Sequence, residues 1–385
     1  MATGSVEDHG NITVLGAGVA GAAIASELHR LGRLDKLIAP SALEGSSHTN
    51  QKWLHSGALY PSTTVIRDAW NQFRQMRQAF GQHVVARDDS ARFLAISPET
   101  LRQRIARFEM PEIKESGFAW KLLGDEEYSS VGLLGRTSAS AGLSAKDLVV
   151  DFPGLIEKLI GSIPHERVLL GHSAVVIETG GLPRRVAAIH CRSSAGEIRI
   201  ECERCILAVG AWAPLILAQS DISLGRPLVR KKCTVITFDQ ELVPGITVCY
   251  DIAHQDAVTQ KVVAADVSLV PFKGRTLAAG TGWTRLVDVD DPRAIRPTVE
   301  EVNQLCAELY QAFPLLARFR GTPHSCIKTE LDTGSTPPNV LPQIFDESDH
   351  GVVGLTVALP GKATLMFDLA GKVLGKCSLR PDRIL

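Results

Sequence analysis

The chain has 385 residues, 45% of them apolar and 22% charged, and its 41 lysines and arginines against 42 acids leave a net charge of −1. That size and composition hold two ordinary domains around a large core, without the basic excess of a nucleic-acid binder or an apolar run of about 18 residues that crosses a bilayer. Residues 1–10 carry no apolar signal core and the eight cysteines are scattered, which reads as a cytoplasmic protein with reduced thiols.

Ile12 to Leu15 form a short apolar run with β-branched residues, as a buried parallel strand does. Gly16, Gly18 and Gly21 follow in G-x-G-x-x-G spacing, and Ile24, Leu28 and Leu31 then fall at helical spacing before Gly32. Strand, glycine turn and helix in this order are the context that makes the spacing a dinucleotide fingerprint. Gly16 permits the tight turn, Gly18 lets a pyrophosphate approach, and Gly21 brings helix and strand together. Val19 and Ala20 open the helix, whose unpaired N–H groups and positive end face the phosphates. An acid to bind a ribose hydroxyl is expected about 20 positions on. The second strand, Lys36 to Pro40, carries none there, which leaves Ser41 or Glu44 as substitutes.

Residues 41–62 form a polar loop with Ser46, Ser47, Thr49 and Asn50, followed by Lys52-Trp53-Leu54-His55-Ser56-Gly57-Ala58-Leu59-Tyr60. This stretch resembles the flavin-contacting segment of the D-amino-acid-oxidase-like FAD superfamily, nearest to glycerol-3-phosphate and L-2-hydroxyglutarate dehydrogenases. Lys52, His55, Gly57 and Tyr60 match its frame. The resemblance implies FAD as cofactor, with Ser46, Ser47, Asn50, Lys52, Trp53 and His55 against it and Tyr60 beside the substrate.

Thr64 to Phe80 reads as a helix with an apolar stripe, Ser90 to Ile96 as a strand, and Glu99 to Phe108 as a helix. Residues 110–145 are Gly/Ser-rich. Ser144 to Ile160 reads as a helix with Asp147 capping it or in its first turn. Val168 to Glu178, including Val175, is strand-like, and Arg185–Cys191 with Glu197–Leu207 reads as a hairpin. Cys202 and Cys205 form a lone C-x-x-C, which is read as strand packing. Cys205 to Ala213 runs from a buried strand into Gly-Ala-Trp; Ala208, Gly210, Ala211 and Trp212 match a superfamily strand that packs on the dinucleotide.

From Gly225 longer strands follow: Lys232–Phe238, Lys261–Val270 and Thr276–Gly280, with a Pro271–Arg275 turn. They resemble the antiparallel sheet that roofs the flavin, with Arg275 on the substrate side, Gly280-Thr281 ending the strand, and Trp283 near where the family often carries an acid. Thr298 and Glu301 form a capping box that opens a helix to about Phe313. Val352–Val357 is a strand, and Pro360–Thr364 opens the last helix. Gly354 lies too far before Gly361-Lys362 for a P-loop. By resemblance, Gly361, Lys362, Ala363 and Thr364 place a helix N-terminus at the flavin pyrimidine edge, where it stabilises negative charge, and Lys328 stands where an arginine is common.

The expected fold is α/β: a discontinuous Rossmann-type FAD-binding domain over 1–75, 145–220 and 325–385, with an α+β substrate domain over 76–144 and 221–324 and a largely antiparallel sheet. The expected activity is FAD-dependent oxidation of a C–H next to a hydroxyl or amine of a small polar molecule, by hydride transfer to flavin N5, with an unidentified electron acceptor. His55 is the expected proton acceptor, since imidazole has a suitable intrinsic pKa, and Lys328 a second catalytic group. No metal, nucleic acid or membrane-spanning segment is expected. An acidic substrate is expected to meet one of Arg226, Arg230, Lys232, Arg275 or Arg285. An amine or amino-acid oxidase on the same fold and a non-catalytic nucleotide-binding protein are the alternatives, with a flavin monooxygenase third because no Gly-Asp-Ala-Ala-His-like stretch lies near the C-terminus.

Overall fold

The computed structural model describes residues 11–41, 45–60, 62–81, 90–255, 262–280, 285–286, 292–332 and 341–377. Glu44, Thr281 and Trp283 lie outside them, as does the side chain of Arg285.

Ile12–Leu15 lies inside a six-stranded sheet. In spatial order its strands are Gln343–Phe345, Leu355–Leu359, Cys205–Leu207, Ile12–Leu15, Leu34–Ala39 and Val168–Leu170. All neighbours are parallel except the edge strand Gln343–Phe345. Every residue of Ile12–Leu15 is buried, as befits a strand covered on both faces. On one face the Val19–Arg30 helix packs between Phe152–Gly161 and Met366–Lys376. On the other, Leu15, Ile38, Leu207 and Val357 meet Ile177, Val186 and Ile189 of a three-stranded antiparallel sheet, together with Ile216 and Leu217 of the Ala213–Gln219 helix.

A nine-stranded sheet forms the second layer. Leu228–Phe238 pairs along its length with Gly321–Leu331 and, on its other side, with Arg275–Gly280 and Arg285–Leu286. Val262–Phe272, Thr247–Gln255, Ser90–Ala95, Ala141–Lys146 and Trp120–Leu122 continue it. Only Thr247–Gln255 with Ser90–Ala95 is parallel among these pairs. The Val299–Ala312 helix, opened by the expected Thr298/Glu301 capping box, covers this sheet through Leu305 and Leu309 packed with Ile236, Val267 and Leu269.

Three local readings change. Residues 144–160 are not one helix: Ala141–Lys146 is a strand held by Ser90–Ala95, Leu148–Val149 pairs with Trp53–Leu54, and the helix begins at Phe152 with Asp151 as its cap. Glu197–Leu207 is divided, because Gly196–Glu201 finishes the hairpin while Cys205–Leu207 joins the parallel sheet beside Ile12–Leu15. Thr247–Gln255 is a strand within a region that had no assigned element. At the C-terminal end, Ala363–Leu365 is a 3₁₀ turn leading into Met366–Lys376.

Candidate active site

A cleft of about 510 Å³ runs from the N-terminus of the first helix to the underside of the nine-stranded sheet. Its first wall is backbone. Gly16 has φ +98°, and a Cβ there would stand 2.6 Å from the Ala208 carbonyl oxygen. A Cβ on Gly21 would lie 1.8 Å from the Gly16 carbonyl oxygen, so Gly21 permits the crossing and lies outside the lining. The helix has no acid in its first turn and no side-chain cap at Gly18; instead Val19 N–H donates to Ser47 Oγ at 3.0 Å. Gly16, Gly18, Val19 and Ala20 line this end with Ile38, Pro40 and Ser41, so Ser41 stands beside the apolar strand end that lacks the ribose acid. Val175, Gly210 and Trp212 line the groove further along.

The Gly45–Asn50 segment joins the first helix to the roof strand Gly321–Leu331. Ser46 Oγ donates to the Ile327 carbonyl and lines the cleft with Ser47 and Asn50. Lys52 takes a left-handed φ of +59°, supported by Asn50 Oδ1, which accepts its N–H at 2.9 Å. Its ammonium turns back to the Ser47 and His48 carbonyls and does not line the cleft. Burial lowers its pKa to about 8.

Trp53 and His55 both reach the cleft, with ring centroids 3.9 Å apart. His55 N–H donates to Thr364 Oγ1 at 3.1 Å, which ties this loop to the C-terminal turn and leaves Thr364 behind the lining. Burial, then the nearby Lys362 charge, holds the imidazole pKa well below its ordinary 6.5, so the ring is neutral. Tyr60 packs 5.3 Å from that ring, is buried and does not line the cleft. Burial and then Asp147 push its phenol well above the usual range.

Lys231, Cys233, Val235, Lys328 and Thr329 contribute to the other wall, and Gly361, Lys362 and Ala363 close it. Lys231 and Lys328 are directly opposed across their strands. Both contact Glu330, Lys328 at 3.0 Å. Burial and then Lys362 lower the Lys328 pKa to about 8; burial also lowers that of Lys362. This end is therefore rich in cations.

Four of the five cations expected to meet an acidic substrate lie elsewhere, and the fifth, Arg285, has no described side chain. Arg275 sits at a hairpin tip, 62% exposed and paired with Asp239. Arg226 is exposed, Arg230 donates to the Ala211 carbonyl, and Lys232 pairs with Glu301 at 2.8 Å on the opposite face of its strand. Lys231, one residue from each of the last two, is the cleft cation that sequence reasoning passed over. Strand alternation signals it, since 231, 233 and 235 share a face. Asp147 was also misplaced: fully buried, it accepts from Trp53 Nε1 at 2.7 Å and Ser56 N at 2.6 Å.

A model of the FAD dependent oxidoreductase family matches residues 11–364. The chain belongs to this family. As an FAD dependent oxidoreductase, it shares its fold with solved structures at low identity. Glycine oxidase from Geobacillus kaustophilus is 16% identical, with a TM-score of 0.69 over 97% of this chain and 96% of that one. L-proline dehydrogenase from P. horikoshii is 15% identical, with a TM-score of 0.71 over 95% and 94%. Glycerol-3-phosphate dehydrogenase from Bacillus halodurans, solved with FAD, is 15% identical, with a TM-score of 0.66; the match covers 97% of this chain but only 65% of that one. No curated protein matches the sequence. The cofactor of this oxidoreductase is FAD, and the site fits it: glycines leave open the backbone cradle that side chains would fill, beside an N-terminus with no acid to compete for phosphate.

Proposed function

We propose that this FAD dependent oxidoreductase oxidises a C–H bond next to a hydroxyl or amine on a small polar substrate that carries an acidic group. Bound FAD supplies the hydride acceptor, N5 of its isoalloxazine. The chain supplies binding, orientation and proton handling. Gly16, Gly18, Val19, Ala20 and Ser47 hold the pyrophosphate, and Ser41 serves the ribose in place of an acid. Ser46, Asn50, Trp53, Val175, Gly210 and Trp212 flank the flavin groove, while Gly361, Lys362 and Ala363 meet its pyrimidine edge. Gly21, Lys52 and Thr364 act from behind by fixing backbone. The domain division at 75/76, 144/145, 220/221 and 324/325 belongs to the same reading. Membership of the six-stranded sheet supports it, while the Thr63–Phe80 helix crosses the boundary at 75/76 and the roof strands Ala141–Lys146 and Gly321–Leu331 cross those at 144/145 and 324/325.

One observation carries the reading: the buried His55 imidazole, whose pKa burial lowers, opens into the same cleft as the phosphate cradle, beside lysines. A neutral base accepts the hydroxyl proton as an alcohol carbon becomes a carbonyl, and Lys328, Lys362 and Lys231 attract the acidic group. An amine that enters unprotonated needs no such base, so the two substrate classes separate on His55. Anaerobic absorption spectra with a panel of 2-hydroxy acids, polyol phosphates and amino acids test this. Bleaching of the flavin bands by a hydroxy compound, lost in His55→Ala, supports the alcohol reading. Bleaching by amines alone, indifferent to His55, supports amine oxidation. Admitting air to the bleached protein then tells an oxidase from a dehydrogenase.

A further inference from the structure

His55 lacks the support that usually aims a catalytic imidazole. Its Nδ1 is buried without a hydrogen-bond partner, whereas a base is commonly oriented by a bond on its second nitrogen. Its backbone N–H is tied to Thr364, but its ring direction is set by packing on Trp53 at 3.9 Å and Tyr60 at 5.3 Å. The Trp53 indole is itself anchored, at Nε1, by Asp147 Oδ2 at 2.7 Å, while Oδ1 of the same carboxylate takes the Ser56 N–H at 2.6 Å. Asp147 thus grips the residues on both sides of the Leu54–His55 pair. It does so from the turn between Ala141–Lys146 and Leu148–Val149, and the latter strand pairs with Trp53–Leu54.

We propose that Asp147 is a positioning residue for His55: its two carboxylate oxygens fix the indole platform and the following amide, and thereby aim the imidazole into the cleft. The proposal rests on the reading of His55 as proton acceptor. A carboxylate suits two facing donors and an amide does not. Asparagine offers one acceptor oxygen, so its NH₂ meets either the indole N–H or the Ser56 N–H head-on. Burying an acid fully is unfavourable without such partners, and Asp147 has 0% exposure. The charged groups around His55 are Asp147, on the side of Trp53 and Tyr60, and Lys362, whose ammonium lies 5.8 Å from the Tyr60 ring.

The test is Asp147→Asn in the FAD-loaded protein, read by two measurements. In protein with ¹³C-labelled histidine at pH 8.5, the His55 Cε1–H resonance, assigned by its loss in His55→Ala, reports the indole ring current. It should move toward the position of exposed histidines in Asp147→Asn. Turnover should fall about 10- to 100-fold with KM changed less than about twofold. An unmoved His55 resonance overturns the proposal, as does a kcat equal to wild type. If Asp147→Asn does not fold, Asp147→Glu keeps the charge and both acceptor oxygens but displaces them by one methylene from the Trp53 and Ser56 donors. It should shift the same resonance and lower kcat, and wild-type values of both would overturn the proposal. The reading of His55 as base fails separately, if His55→Ala turns over at the wild-type rate, and the resonance shift still judges Asp147.

Discussion

The two ends of the cleft are built on different principles. At the fingerprint end the chain binds with backbone. Gly16, Gly18 and the first turn of the helix bring backbone up to the cleft, with the Gly16 N–H held by the Ile38 carbonyl and the Val19 N–H by Ser47 Oγ; no charged side chain of the described residues lines that end, and specificity is steric. At the other end side chains from distant segments converge. Trp53 and His55 come from one loop, Lys231 and Lys328 from two strands of the roof, and Lys362 from the C-terminal turn. Backbone binding tolerates no added atom, whereas side-chain binding depends on several long-range registers holding at once. The first end should therefore fail all at once, and the second by degrees.

The sharpest break is Gly21→Val. A Cβ there lies 1.8 Å from the Gly16 carbonyl oxygen, so helix and strand must separate and the cradle opens. The expected outcome is protein without the flavin's visible absorbance, or no folded protein; retention of stoichiometric FAD would show that the crossing is not steric. Next in size is His55→Ala, which keeps the flavin and lowers turnover about 10²- to 10⁴-fold on a hydroxy substrate. Unchanged turnover removes the base from the mechanism.

The same contrast explains what the sequence reveals. The fingerprint is legible because its requirements are local: strand, glycine spacing and helix lie within residues 12–30. The loop from Ser46 to His55 and the turn at Gly361 are also legible, as motif-bearing pieces. What is lost is pairing. Residues 144–160 carry apolar residues at helical intervals, and it is pairing with Ser90–Ala95 on one side and Trp120–Leu122 on the other that makes Ala141–Lys146 a strand and delivers Asp147 to Trp53. Likewise Arg230 and Lys232 were singled out over Lys231, because which face of Leu228–Phe238 meets the cleft follows from its pairing with Gly321–Leu331. The turn expected over Pro271–Arg275 is a tighter one at Lys273-Gly274, because Pro271 and Phe272 pair with Thr276 and Arg275 in the ladder, and Arg275 at its edge points to solvent beside Asp239.

Stripping FAD tests how far the ends depend on one another. A ligand that binds only the folded chain, present at 100 times its Kd, stabilises it by about 2.7 kcal/mol. The flavin-free protein should therefore melt at a lower temperature in a thermal scan, and adding FAD should restore the original Tm. A Tm indifferent to FAD would mean that the cradle binds too weakly to order the cleft.

The smallest effect sharpens the comparison most, because it concerns only the side-chain end. Lys328 releases its proton at about 8 in the folded chain, against an ordinary 10.5. Between those values the unfolded chain holds the extra proton, so stability contributed through this group rises as pH rises from about 8 toward 10.5. Lys52, also lowered to about 8, acts in the same direction. With about a quarter of the Lys328 side chain exposed (24%), screening leaves an effect on the order of 1 kcal/mol. Lys328→Met should flatten that rise in a plot of Tm against pH while raising KM for an acidic substrate. If the slope survives the substitution, the titration lies with Lys52 and Lys362; if KM is unchanged, the acidic group of the substrate is drawn to the turn at Gly361 instead of to the roof.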